Sequence, residues 1–227
     1  LARLIPQLTS DVVVLGFSKW YEPNGAERGR WIGPDIAEGC PVSGREAQLG
    51  YLLQKGCYTA CAWNKAVRRE LFSSCDLRFR EGVTSEDIDW CARLALAAKS
   101  FGLSACRFYR YRQRTGSITR TMNLKSLRDL KENIELCLQL PQEMGASTAI
   151  KELYWSYVAY QFGTFLVCAP SVNGPEGRGL VQEMREKRWL LRYNAASRKV
   201  QLLYVVDRLL GYRALCLLCR GYAAIRK

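Results

Sequence analysis

Glu86, Asp87 and Asp89 crowd into the segment Glu81-Gly82-Val83-Thr84-Ser85-Glu86-Asp87-Ile88-Asp89-Trp90. Helix signals begin at the same place. Thr84 is a candidate cap with Asp87 three residues later, the spacing of a capping box. Trp90, Cys91, Leu94, Ala95 and Ala98 then repeat at helical period through Lys99. Free N–H groups and the dipole of a first turn stabilise negative charge. A carboxylate held there stays ionised and can take a proton from a bound hydroxyl, the work of a general base. The same residues also suit a well-capped helix with acids in its first turn, and the segment by itself favours that simpler reading. Asp87-Ile88-Asp89 spells D-x-D, the spacing with which two carboxylates can share a divalent cation and a diphosphate. Residues two apart on a helix do not share a face, which argues against that use here.

Two further motifs flank this one. Upstream stands Ala62-Trp63-Asn64-Lys65-Ala66-Val67-Arg68-Arg69-Glu70-Leu71, and downstream Tyr109-Arg110-Tyr111-Arg112-Gln113-Arg114-Thr115-Gly116-Ser117-Ile118. In order they read W-N-K-x-x-x-R-R-E-L, F-x-E-G-x-x-x-E-D-x-D-W and Y-R-x-R-x-G-S-I. Together they resemble the C-terminal half of family-2 glycosyltransferases with the GT-A fold, over about residues 4 to 122. The likeness is nearest to bacterial enzymes that build capsular, exopolysaccharide and cell-wall glycans.

The resemblance implies an inverting sugar transfer from a nucleotide-sugar donor to a glycan or a polyprenyl-diphosphate-linked acceptor. Asp87 matches the family's catalytic base, and Glu86 would orient the acceptor or the base. Trp63, Asn64 and Lys65 of the W-N-K motif, together with Trp90, fall at substrate-binding positions. Sugars present apolar faces to aromatic rings, although core packing suits either Trp nearly as well. Lys65 reads as a phosphate or acceptor contact or as a helix-surface lysine. Arg112, Arg114 and Ser117 lie in the segment that closes over the donor, where guanidinium groups would neutralise a diphosphate. A solvated basic strand end is the even alternative for each Arg taken singly.

A Mg²⁺ or Mn²⁺ ion is implied too, held mainly by a D-x-D preceding the matched region, and no metal ligand is assigned in this chain. The family's nucleotide-binding units, about a hundred residues, would also lie upstream of Asp11. The expectation is therefore a catalytic piece without activity of its own, or a degenerate partner of an active transferase. The rival from another class is a non-catalytic basic protein that binds membrane or nucleic acid. Its basic residues spread along the whole chain and no nucleic-acid reader motif is present, which disfavours nucleic acid.

Composition sets the bounds around these motifs. The 227 residues are 48% hydrophobic and 24% charged, enough for one large domain or one domain with a helical appendage. Lys and Arg number 34 against 21 Asp and Glu, a formal charge of +13 that favours an anionic partner. Ten cysteines and no histidine, most of the cysteines in apolar surroundings, suggest a reduced, cytoplasmic protein. Cys216 and Cys219 form a CxxC, but inside a Leu-rich helical pattern rather than a turn.

The elements that would hold the motifs alternate. Asp11 to Phe17 reads as a strand buried on both faces, and residues 18 to 43 as a long loop or β-excursion. A short helix fits residues 44 to 56, helical spacing covers Trp63 to Phe72, and Leu77 to Phe79 is extended. Gly102 ends the helix after Thr84, and Ala105 to Arg112 alternates like a strand. The reading is α/β through residue 122, the GT-A (Rossmann-like) C-terminal half, followed by an α-helical extension over 123–227. Helices are expected over Leu124–Leu140, Ser147–Cys168, Leu180–Tyr193 and Arg198–Ile225. Leu153 to Pro175 has no charged residue, but polar interruptions favour a buried or interfacial helix over a membrane span. The last helix sets leucines among Arg208, Arg213, Arg220 and Arg226. That suits either a helix lying on the anionic inner face of the plasma membrane or a basic helix packed on its neighbours.

Overall fold

The structure is a computed structural model that describes residues 8–21, 26–28, 40, 42–113, 122–172, 174–193 and 197–225. It is a mixed α/β fold, with a small sheet and a larger helical layer. Strand β1 (Val12–Tyr21) is the axis of the sheet. On one edge it pairs antiparallel with β3 (Lys65–Val67) at Val12–Val14 and with β2 (Ala26–Arg28) at Lys19–Tyr21. On the other edge β4 (Phe101–Gln113) runs parallel to it, with a register break between Leu15 and Phe17.

The apolar run of β1 fits both of its faces. Val12 and Val14 join the main core, while Val13 and Leu15, 1% and 4% exposed, pack with Ala66 on the other side. The excursion after β1 is β-type in its described part, since the strand continues to Tyr21 and β2 returns against it.

Helix α1 (Arg45–Gln54) and α3 (Asp87–Ala97) pack beneath the sheet, and the short α2 (Glu70–Ser74) stands between them in sequence. The expected apolar face of α3 is buried: Trp90, Cys91, Leu94, Ala95 and Ala98 are at most 3% exposed. Helices α4 (Leu124–Glu143) and α5 (Thr148–Cys168) follow with Asn123 and Ser147 as side-chain caps. α5 carries no charge along most of its length because it is the central helix, packed against α1, α3, α4 and the C-terminal elements. Its Tyr154, Tyr157, Phe162 and Phe165 are buried, each worth roughly 1.5–3 kcal/mol of removed apolar surface. Then come α6 (Pro175–Glu183), a 3₁₀ helix (Met184–Arg192) and α7 (Arg198–Ile225).

Four local expectations are corrected. Trp63 to Phe72 is not one helix but a 3₁₀ turn (Ala62–Asn64), β3 and α2. Pairing of Lys65–Val67 with β1 overrides the local helical spacing. Leu77 to Phe79 belongs to no strand. Gly102 lies inside β4, where its bare Cα admits Ser10 Oγ, which a Cβ would meet at 3.2 Å. The helix Leu180–Tyr193 is instead the end of α6 and the 3₁₀ helix.

An all-helical stretch does begin after residue 122, yet one continuous apolar core runs from Val12 to Cys219 across it. Cys40, Cys57, Cys61, Cys75, Cys91, Cys137, Cys168, Cys216 and Cys219 are free, and among the described residues no helix is long and apolar enough to cross a membrane.

Candidate functional site

Asp87 stands at the first position of α3, with Glu86 at the cap position. The capping box does not form: neither Thr84 nor Glu86 caps the helix through its side chain. Thr84 is engaged elsewhere, its N–H and hydroxyl both donating to Asp129 Oδ2 on α4, at 2.8 and 2.9 Å. Asn133, one turn further along α4, donates its amide to the carbonyls of Thr84 and Ser85, both at 3.2 Å. Ser85 takes a left-handed conformation, φ 59°, so the chain enters α3 through a tight turn stapled to another helix. From α5, the Tyr157 hydroxyl donates to the carbonyl of Ile88 at 2.7 Å. The start of α3 is thus held by α4 and α5 rather than by its own cap.

The two carboxylates of Asp87-Ile88-Asp89 diverge. Asp89 is 4% exposed and paired with Arg93 at 2.9 Å. That guanidinium also donates to the carbonyls of Asp76 and Arg78, fixing the loop before the helix. Asp87 instead faces an open cleft of about 440 Å³ whose other walls are Ala62, Trp63, Lys65, Val67, Phe72, Phe79 and Trp90. Its Oδ2 accepts the Ala62 N–H at 3.3 Å, and among the described residues its Oδ1 accepts nothing. Burial raises the Asp87 pKa above the ordinary carboxylate value and the charge of Glu86 raises it further, against the Ala62 hydrogen bond and Lys65. Half-buried, ionisable and backed by a cation, Asp87 has the attributes of a proton acceptor for a ligand in the cleft.

The cleft is otherwise aromatic. Phe79 stacks on Trp90 with centroids 5.2 Å apart and remains 47% exposed, and Phe72 is 45% exposed. Trp90 itself is buried, its indole N–H bound to the Leu77 carbonyl at 3.1 Å. The rings offered to a ligand are therefore Phe72 and Phe79, with Trp90 behind them. The sequence assigns neither Phe a ligand-binding role, although Phe79 opens the F-x-E-G-x-x-x-E-D-x-D-W motif and stands between Arg78 and Arg80.

Trp63 forms a second aromatic group. It stacks on Tyr109 and Tyr111 of β4, at 4.5 and 5.0 Å, and meets the edge of Phe17 at 4.6 Å. It ties the 3₁₀ turn to the sheet and lends one side to the cleft.

Lys65 is neither on a helix surface nor free for a phosphate. It lies in β3, 9% exposed, and its ammonium donates to the carbonyls of Thr59 and Cys61 and to Asn64 Oδ1, at 2.7, 2.8 and 3.0 Å. All three N–H groups are thereby used inside the chain. Asn64 is buried as that acceptor. The W-N-K motif thus builds the wall of the cleft more than it presents polar groups to it.

Arg112 is exposed on β4 opposite Trp20 and is not among the cleft residues. Tyr109 and Tyr111 face Trp63, so strand alternation turns Arg112 to the other face of the sheet. Arg114 and Ser117 lie outside the described residues.

With Asp89 committed to Arg93, Asp87 and Asp89 are not placed to share a cation. Among the described residues no group of three or more His, Cys, Asp or Glu side chains is placed to hold a metal ion. Comparison with models of known protein families and with curated proteins returns no match.

Proposed function

We propose that this chain carries the acceptor side of an inverting glycosyltransferase, with Asp87 as the general base. One observation carries the reading: Asp87, alone of the two D-x-D carboxylates, faces an open cleft walled by exposed Phe72 and Phe79. A carboxylate beside aromatic faces matches the two-sided chemistry of a sugar, hydroxyls on its edge and C–H groups on its face. Asp87 would bind the attacking hydroxyl and take its proton as the bond to the anomeric carbon forms. The nucleoside diphosphate would leave from the opposite side, giving inversion. Glu86 supports that role electrostatically, by keeping the Asp87 carboxylate more basic. Lys65 acts through position, holding the 62–65 turn against the base. A divalent ion would be supplied with the donor-binding units that the sequence resemblance requires, and turnover is expected only in their presence.

The test is a transfer assay on a polypeptide joining this chain to such units, with nucleotide-sugar donors and a glycan acceptor. Asp87→Asn should lower turnover by roughly 10²–10⁴-fold, the usual contribution of a positioned base. Phe79→Ala should chiefly raise the acceptor KM. Unchanged turnover in Asp87→Asn would remove Asp87 from the mechanism.

A further inference from the structure

Exposed apolar surface is concentrated on one element. Of the fourteen large hydrophobic side chains exposed among the described residues, eight lie on α7. The helix buries Val200, Leu203, Tyr212, Leu215 and Cys219 on its inner side, while Leu209, Leu217 and Ile225 are 74%, 64% and 86% exposed. It is also broken. Gly211 adopts φ 81° and ψ 169°, a conformation open essentially to glycine alone, so residues 212–225 form a separate helical piece.

Between that piece, α6 and the end of α5 lies a cavity of about 430 Å³. Leu166, Val181 and Cys216 contribute apolar wall, and Arg178, Arg213 and Arg220 also line it. Among the described residues no carboxylate of α6 or α7 pairs with an arginine of this cavity, although Asp207, its buried Oδ1 without a hydrogen bond, acts on Tyr212 and Cys216 in the cavity wall. Glu176 pairs with Arg128 at 3.4 Å, Glu183 with Lys131 at 3.2 Å, and Asp207 faces Arg188 at 3.8 Å. Among the described residues none of the three cavity arginines has a carboxylate partner. An apolar hollow lined by three unpaired cations, beside a row of exposed leucines, is complementary to a lipid with an acyl chain and an anionic phosphate headgroup.

We propose that residues 212–225 of α7, with α6, dock on an anionic phospholipid surface. Leu217, Leu218 and Ile225 enter the interface, and the cavity receives an acyl chain whose phosphate meets Arg178, Arg213 and Arg220. Amphipathic helices bind membranes by this combination of buried apolar area and attraction to anionic lipid. A second copy of the chain is the poorer occupant, because it would bring the same arginines into mutual repulsion on a protein of net charge +13. Nucleic acid would leave the leucines in water. The proposal does not depend on Asp87, so either reading can fail without the other.

Flotation of the 227-residue chain with vesicles tests it, using phosphatidylcholine alone and phosphatidylcholine mixed equally with phosphatidylglycerol. Partitioning should be at least roughly tenfold stronger on the mixed vesicles. The exposed pair Leu217→Ser/Leu218→Ser should abolish it without changing the helical circular dichroism. Arg213→Gln/Arg220→Gln should weaken it by roughly thirtyfold, the loss of two surface charges. Maleimide labelling of Cys216, read on its own peptide, should be slowed by the mixed vesicles and not by inorganic phosphate. Equal or no partitioning on the two vesicles overturns the proposal. So does protection of Cys216 by inorganic phosphate alone, or a dimer in solution that Leu217→Ser/Leu218→Ser dissociates in the absence of vesicle binding.

Discussion

Neighbouring acids in one motif have opposite fates because of what each meets. Asp89 turns inward to Arg93 and becomes part of the framework, whereas Asp87 turns to the cleft with one oxygen uncommitted among the described residues. Burial comes first among the influences that raise the Asp87 pKa, and this has two consequences of opposite sign. The native state holds this proton more tightly than the unfolded chain. Between the unfolded and folded pKa values, stability therefore falls as pH rises. Activity that needs the ionised carboxylate rises with pH through the same folded pKa. With Asp87 in the proposed role of base, the acid limb of the kcat/KM profile should accordingly lie above the ordinary carboxylate range. Asp87→Asn should remove that limb with the turnover, while its melting temperature stays equal or increases. Lys65 behaves differently. Lys65→Met leaves three acceptors without a donor, and should cost roughly 1–3 kcal/mol in denaturant unfolding.

Helix α3 owes its position to elements far away in the chain. Asp129 on α4 accepts two hydrogen bonds from Thr84 and an ion pair from Lys125 at 2.6 Å. Burial alone would raise its pKa, but the hydrogen bonds from Lys125 and Thr84 outweigh it and hold the carboxyl below its ordinary value. This contribution to stability is complete above the unfolded pKa and is lost as pH falls through the folded one. Asp129→Ala should destabilise the fold by roughly 1–3 kcal/mol and free the turn at residues 82–86. Faster hydrogen exchange at Thr84 and Ser85, with the exchange of α7 unchanged, is the measurement that checks it. Because that turn aims Asp87, the same substitution should lower kcat more than it raises KM.

The helices after residue 122 are part of the same core as the sheet. The Tyr157 hydroxyl of α5 donates to the backbone carbonyl of Ile88 on α3 and so joins the two halves, while Tyr154 ties α5 to Cys137 of α4 within the helical half. Further along α5, Gly163 lets α7 approach: a Cβ there would meet Val200 Cγ2 at 3.0 Å and Leu203 Cδ1 at 3.3 Å. Gly163→Leu should push α7 off its seat at a cost of about 1–3 kcal/mol, the range for an overpacked interface. Thermal unfolding of the whole chain should shift as one transition if the core is as continuous as it is in the structure. A separate early transition for α7 would instead mark it as an independent layer.

Much of the local architecture was legible in the residues themselves. The β-branched run of β1, the buried face of α3 and the helical course of α4 and α5 follow from periodicity, which acts over a few residues, whereas the Asn123 and Ser147 caps emerge only in the structure. Asp87 and Trp90 were legible too, as residues of the cleft. What the chain could not declare locally depends on partners distant in sequence. Lys65 reads as a surface cation until Thr59, Cys61 and Asn64 close around it, and β3 reads as helix until β1 supplies its hydrogen bonds. Thr84 reads as a cap until Asp129 captures it from across the fold. Phe72 and Phe79 become an aromatic wall of the cleft only when Arg93 fixes the loop that carries Phe79 beside Trp90. Side-chain type and spacing therefore determined which groups were available. Tertiary packing decided which of them remained unspent, because a hydrogen-bonding group satisfied inside the fold has nothing left to offer a ligand.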